Sequence, residues 1–232
     1  MTKIKFTGSI TLKNPNVQKI IDIAKELIEE NKVLRVKNLY DRAIKCLKIP
    51  GGVLLEIINF LINKKILIDG SKLTRDIILL NLYRKKIYTL IYKYNGATFS
   101  FLREKAFKNQ SSSSGQLLWH LGMLLKFEFI KKIKIGNYTM FLPVDMDDYS
   151  GTLYFYMKDN LYKKIIELLL NNEKVRKPDI YKKINVKREN VNYRLRVLLD
   201  NHILLYKDKK TKEICISSRA RTILSHYIKK IN

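Results

Sequence analysis

One pattern occurs three times in this chain, at residues 53–67, 116–130 and 190–204. In each copy apolar residues recur at helical spacing and then run, within one turn, into a short β-favouring stretch. Leu54, Leu117 and Val191 align, then Ile58, Leu121 and Leu195, then Leu61, Leu124 and Leu198, and finally Ile66, Phe129 and Ile203. The copies lie 63 and 74 residues apart, with constant offsets inside each. Solenoid repeats have periods of roughly 20 to 50 residues, so each copy is expected to belong to its own small domain.

Three domains of about 70 to 80 residues follow, at 1–71, 72–150 and 151–232. Domains of that size bury modest cores, so packing between them is expected to matter. A helix that feeds directly into a β-ribbon is how a winged helix-turn-helix domain presents a recognition helix and its wing. The expected fold class is therefore mainly α with small β-wings (α+β), as three consecutive winged helix-turn-helix domains.

The periodicity places individual elements. Asn14-Pro15 starts a helix whose face is Val17, Ile20, Ile21, Ala24, Leu27 and Ile28. A second helix carries Val36, Leu39, Ala43 and Leu47, and Pro50-Gly51-Gly52 opens a third. Ile66, Leu67 and Ile68, with a turn at Asp69-Gly70, leave room for a rudimentary wing. The second domain begins with one helix from near Leu73 through Ile91, ended by Asn95-Gly96. Ser100 then caps a short helix through Phe107, and a hairpin turns at Gly136-Asn137. Acidic residues 144–151 mark the next boundary. Beyond it, a helix holds Leu161, Ile165 and Leu169, a short one starts at Lys177-Pro178-Asp179, and a third runs over 186–201. A wing with its tip at residues 208–212 and a final helix complete the chain.

The charge balance is 46 Lys plus Arg against 21 Asp plus Glu, a net of +25. An A/T-rich genome inflates Lys, Ile and Asn, but it does not suppress Asp and Glu enough to give a two-to-one excess. Such a surface attracts polyanions. The net charge is +6 over 1–71, +7 over 72–151 and +12 over 152–232, which makes the last domain the strongest electrostatic candidate. Catalysis is not expected: there is no P-loop, dinucleotide turn or nucleophile elbow, and Ser111 to Ser114 read as a helix-capping turn. Cys46, Cys215, His120, His202 and His226 are too scattered for a disulfide framework or a zinc site, so no metal or cofactor is expected. No apolar run reaches the roughly 18 residues of a membrane span, and residues 1–12 lack the core of a signal peptide. The expected location is the cytoplasm, where the glycosylation-like triplets at Asn109 and Asn137 arise by chance.

Duplex DNA is held through phosphates and read through base edges, so polar residues near a helix start are the candidates. In the third copy Lys187, Arg188, Asn190, Asn192, Tyr193, Arg194 and Arg196 remain once Val191, Leu195 and Leu198 face the core. Arg pairs with guanine and Asn with adenine. The competing reading is a solvated helix face. In the second copy the corresponding set is Ser112, Ser113, Gln116, Trp119 and His120. Trp119 is weighted towards packing against a neighbouring domain. His120 aligns with Arg194 as a phosphate contact, against the alternative of a half-buried imidazole. The wings add Lys131, Lys132 and Lys134, and Lys207, Lys209, Lys210 and Lys212. The first copy offers Gly51, Gly52, Leu55, Glu56 and Asn59, which suit a protein partner or packing better than base reading.

Residues 84–143, with Ile87-Tyr-x-x-Ile91, Gly115-Gln-Leu-Leu-Trp-His-Leu121 and Phe141-Leu-Pro143, resemble archaeal winged-helix transcriptional regulators of the broad ArsR and MarR type. Val191-Asn-Tyr-Arg-Leu195 resembles a second copy, with Arg194 in place of the His. The likeness covers residues 73–232. It implies promoter binding, usually as a dimer, and a homodimer is also suggested by the amphipathic terminal helix, which has the alternative of folding onto its own domain. The first domain departs from that family, and the cysteine pairs of ArsR-type metal sensors are missing.

The leading expectation is a sequence-specific double-stranded DNA-binding transcriptional regulator. A tandem winged-helix scaffold of the membrane-remodelling ESCRT-II type, contacting protein and anionic membrane, is the alternative. RNA or architectural chromatin binding would share the charge without sequence preference.

Overall fold

The computed structural model describes residues 10–107, 114–208 and 210–229. It is α+β, mostly helical with two small antiparallel sheets.

The first segment contains α1 (Pro15–Asn31), α2 (Val36–Cys46) and α3 (Gly51–Asn63). Asn14 caps α1 by accepting from the Asn16 N–H at 2.9 Å, with Pro15 in the first turn, so α1 starts where the sequence signals it. Val17, Ile20, Ala24 and Leu27 of α1 share a core with Leu39 and Ala43 of α2 and with Leu54, Ile57, Ile58 and Leu61 of α3. Full burial of each such Leu or Ile stabilises the fold by about 1.5–3 kcal/mol. The rudimentary wing is a correction: among the described residues no strand follows α3. Leu34 instead exchanges two backbone hydrogen bonds of 2.8 Å, donating to the Ser71 carbonyl and accepting from the Gly70 N–H. Asp69 accepts from the Val36 N–H at 2.9 Å, so the Asp69-Gly70 turn ties down the start of α2 and leaves no residues for a hairpin.

The middle segment contains a 3-10 turn (Arg75–Leu80), α4 (Leu82–Lys93), β1 (Ala97–Thr98), α5 (Phe99–Ala106), α6 (Ser114–Lys126), β2 (Ile130–Ile135) and β3 (Tyr138–Pro143). The single helix expected before Asn95 is broken at Asn81, whose side chain accepts from the Arg84 N–H at 3.1 Å and restarts the helix as a cap. Two-residue β1 was not foreseen. It pairs Ala97 with Phe141 and Thr98 with Met140. Gly96, at φ 100°, is required there, because Met140 and Leu142 occupy the space a side chain would need.

The last segment contains α7 (Asp148–Met157), α8 (Asn160–Leu170), β4 (Val175–Arg176), a 3-10 turn (Lys177–Asp179), α9 (Ile180–Lys183), α10 (Arg188–Asp200), β5 (Leu204–Asp208), β6 (Glu213–Ile216) and α11 (Ser218–Lys229). The acidic stretch at 144–151 leads into α7. Asp147 caps it by accepting from the Ser150 N–H at 3.0 Å, and acids in a first turn complement the helix dipole.

The two sheets have the same strand order, β1-β3-β2 and β4-β6-β5. The constant offsets of the repeat also have a structural cause. Lys65, Glu128 and His202 follow α3, α6 and α10 in left-handed conformation, at φ 53°, 54° and 54°. The next N–H, of Ile66, Phe129 or Ile203, donates at 2.9 Å to the carbonyl of Leu61, Leu124 or Leu198. Each helix thus ends in a Schellman motif, with the apolar residue past the cap buried at Ile203 and half-buried at Ile66 and Phe129.

The chain forms two compact units, residues 1–90 with 100–131, and residues 91–99 with 132–232. The second is built on one core that joins Met140 and Leu142 of β3, Leu153 of α7, Ile165 and Leu169 of α8, and Val191, Leu195 and Leu198 of α10. Ala220 and Leu224 of α11 belong to that core, so this part of the terminal helix folds back onto its own unit.

Candidate nucleic-acid interface

Helix α10 forms because Val191, Leu195 and Leu198 fall on one face and are buried. Lys187, Arg188, Asn190, Asn192, Tyr193 and Arg196 are thereby left exposed. No side chain caps the helix start at Lys187, so first-turn N–H groups remain for an anion.

The hairpin after α10 is shaped by its tip. Asp208 accepts from the Lys210 N–H at 2.8 Å and from the Thr211 hydroxyl at 3.0 Å. Those bonds hold the Asp208 carboxyl below its ordinary range, the Lys210 N–H first. The Lys177 N–H donates to the Lys212 carbonyl at 2.9 Å, tying the 3-10 turn to the tip. Lys207, Lys210 and Lys212 are all exposed.

Between helix and hairpin lies an open concavity of about 770 Å3. Helix α10 lines it with Arg188, Asn192, Tyr193 and Arg196, the hairpin with Tyr206 and Lys212, and the turn before α9 with Lys177 and Pro178. Four cations and two tyrosines line it, with no carboxylate. The Arg196 guanidinium lies 5.8 Å from the Tyr193 ring centroid, and the Lys177 ammonium lies 5.8 Å from that of Tyr206. Tyr193 is 55% exposed. Lys177 and Pro178 were expected only as a helix start, and Tyr206 was not named as a contact residue. Tyr206 sits in the expected wing strand, but only the tertiary fold brings the Lys177 turn to it.

Arg194 differs from its exposed neighbours on α10. It is half-buried, with its Nη2 3.3 Å from Asp159 Oδ2 and its guanidinium 5.2 Å from the Tyr162 ring centroid. Burial opposes ionisation of Asp159, but bonds from Arg194 and the Tyr162 N–H outweigh it and hold that carboxyl below its ordinary range. Arg194 thus fastens α10 to the start of α8.

His120 is a correction, being 3% exposed. Its ring lies among those of Tyr83, Phe107 and Trp119, with centroids 5.7, 6.3 and 4.9 Å away. Burial, and then the nearby Arg84 charge, push its pKa below the ordinary histidine value. The repeat offsets place Ile57, His120 and Arg194 at one position, and Ile57 is fully buried. That position is buried in the first two copies and half-buried in the third.

The outward face of α6 is otherwise apolar. Leu118 and Trp119, at the positions of Asn192 and Tyr193, are 58% and 55% exposed, and Gln116 is exposed beside them. On β2, Lys132 and Lys134 are exposed and Lys131 is half-buried. Ser112, Ser113 and Lys209 lie outside the described residues. On α3, the corresponding face presents Leu55, Glu56 and Asn59.

Among the described residues no group of three or more His, Cys, Asp or Glu is placed to hold a metal ion, and no helix is long and apolar enough to cross a membrane. No family model matches the chain. It is similar to a protein of Methanocaldococcus jannaschii described as an HTH-type transcriptional regulator, with 35% identity over 158 residues. The match covers 67% of this chain and 39% of that protein, so the chain spans well under half the length of this relative.

Proposed function

We propose that this chain is a sequence-specific double-stranded DNA-binding transcriptional regulator, built from winged-helix modules at 1–71, 72–150 and 151–232, and not an enzyme. The carrying observation is the acid-free basic concavity between α10 and the β5–β6 hairpin. A recognition helix in the major groove and a wing over the flanking minor groove leave one sugar-phosphate strand running between them. Arg188, Asn190, Asn192 and Arg196 read bases, while Lys177, Lys187, Lys207, Lys210 and Lys212 hold phosphates. Gln116, Lys131, Lys132 and Lys134 add contacts from the middle module. His120 takes no part at the surface, and Arg194 contributes by positioning α10. The description of the archaeal relative as an HTH-type transcriptional regulator supports this reading.

The first module, with Leu55 and Glu56 outward, meets a protein partner. The regulator works in the cytoplasm as a homodimer on paired half-sites. Selection from a random duplex pool, followed by footprinting, gives the site and its half-site spacing. With about six to ten phosphates neutralised, affinity for the selected duplex falls roughly 10³- to 10⁵-fold between 50 and 200 mM salt. Salt-insensitive binding, or no enrichment of any sequence, overturns the reading.

A further inference from the structure

The middle and last segments build the same local device from different residues, and one of the two is incomplete. In register with the shared elements, Asn81 corresponds to Asp159, Arg84 to Tyr162 and His120 to Arg194. Asn81 and Asp159 both accept from backbone N–H groups at the start of their helices. In the last segment a cation, Arg194, lies over an aromatic ring and meets a carboxylate. In the middle segment cation and ring have exchanged elements. Arg84 lies on α4, with its guanidinium 5.5 Å from the Trp119 ring centroid on α6. The cap, however, is an amide, so the carboxylate is missing.

Arg84 is 5% exposed, and among the described residues no acid lies within ion-pair distance of it. Its Nε donates to the Ile78 carbonyl at 2.6 Å. An arginine keeps its charge under any physiological condition, and burial of a cation without a counter-ion is destabilising. Beside it, both ring nitrogens of His120 are buried with no hydrogen-bond partner among the described residues. An imidazole with both nitrogens buried and unpartnered, next to a buried guanidinium, is uncommon in native proteins.

We propose that Arg84 and His120 form a receptor for a carboxylate that this chain does not itself supply, the part that Asp159 plays for Arg194 in the last segment. A guanidinium offers paired donors to such a group, and imidazole becomes a donor on protonation.

Trp119 is the only tryptophan of the chain, so its emission reports on the site directly. Full-length protein is titrated at constant ionic strength with sodium acetate replacing sodium chloride. A second titration uses a peptide carrying one Glu among Leu and Ala, alongside its Gln counterpart. A saturable change with acetate supports a free carboxylate as ligand. Saturation with the Glu peptide alone supports an acidic side chain of a protein partner. Arg84→Gln weakens either response at least tenfold, and Asn81→Asp, which supplies the carboxylate internally, abolishes it. No saturation with either probe, equal binding of Glu and Gln peptides, or an undiminished response in Asn81→Asp overturns the proposal.

Discussion

Helices α6 and α10 occupy the same place in the same topology, end in the same Schellman motif and bury the same positions, yet present opposite surfaces. The outward residues of α10 are Arg188, Asn192, Tyr193 and Arg196; at the last three of these positions α6 carries Leu118, Trp119 and Gly122. The core residues that define the repeat fix where a helix lies, and the residues between them decide what it meets. Two copies of one scaffold therefore need not share a task.

The largest expected difference is in DNA binding. Arg188→Ala and Arg196→Ala each weaken binding to the selected duplex by about 1–3 kcal/mol. Leu118→Ala and Trp119→Ala, on the equivalent face of α6, leave affinity unchanged within error in the same mobility-shift titration. Equal losses from the two faces would erase the distinction drawn between them.

A smaller effect separates the two inward positions. Arg194→Ala removes a partly exposed ion pair, so thermal unfolding should report a loss of up to about 1 kcal/mol. Its effect on DNA affinity should fall below that of Arg188→Ala. A larger affinity loss with unchanged stability would return Arg194 to the binding surface.

The same position gives the two segments different acid sensitivity. In the unfolded chain His120 titrates near the ordinary histidine value, and in the folded protein below it. Between those values the unfolded state binds more protons, so stability falls as pH drops below about 6.5. Asp159 is depressed below the ordinary carboxylate range, so its contribution is complete at neutral pH and is lost as pH falls through 3.8 towards its lower folded value. His120→Phe should flatten the stability profile between pH 7.5 and 5.5, and Asp159→Asn should leave that window unchanged. A profile insensitive to His120→Phe would show that the imidazole is not held neutral by its surroundings.

Much of the fold was legible from periodicity. Asn14-Pro15 started α1, Gly136-Asn137 turned β2 into β3, and the aligned core residues located α3, α6 and α10. What escaped depended on single side chains bonding to the backbone. Asn81 and Asp147 read as residues within a helix and within a linker, yet each caps a new helix. Strands β1 and β4 have two residues each, too short to show alternation, and exist only through pairing with β3 and β6. In the candidate site, exposure of Arg188, Asn192, Tyr193 and Arg196 followed from helical spacing. Alignment with Arg194 suggests a phosphate contact for His120, but Ile57 at the same repeat position is buried, and His120 follows it into the interior. Lys177 and Tyr206 could not be joined by spacing, since 29 residues separate them and the Lys177–Lys212 backbone bond brings the turn to the hairpin.

The most direct test is lysine acetylation of the full-length chain with and without the selected duplex, mapped by mass spectrometry. Protection is predicted at Lys177, Lys187 and Lys212 around α10 and its hairpin, with Lys37 and Lys45 on α2 labelled equally in both states. Full labelling of the α10 group in the bound state, or protection confined to α2, would contradict the account.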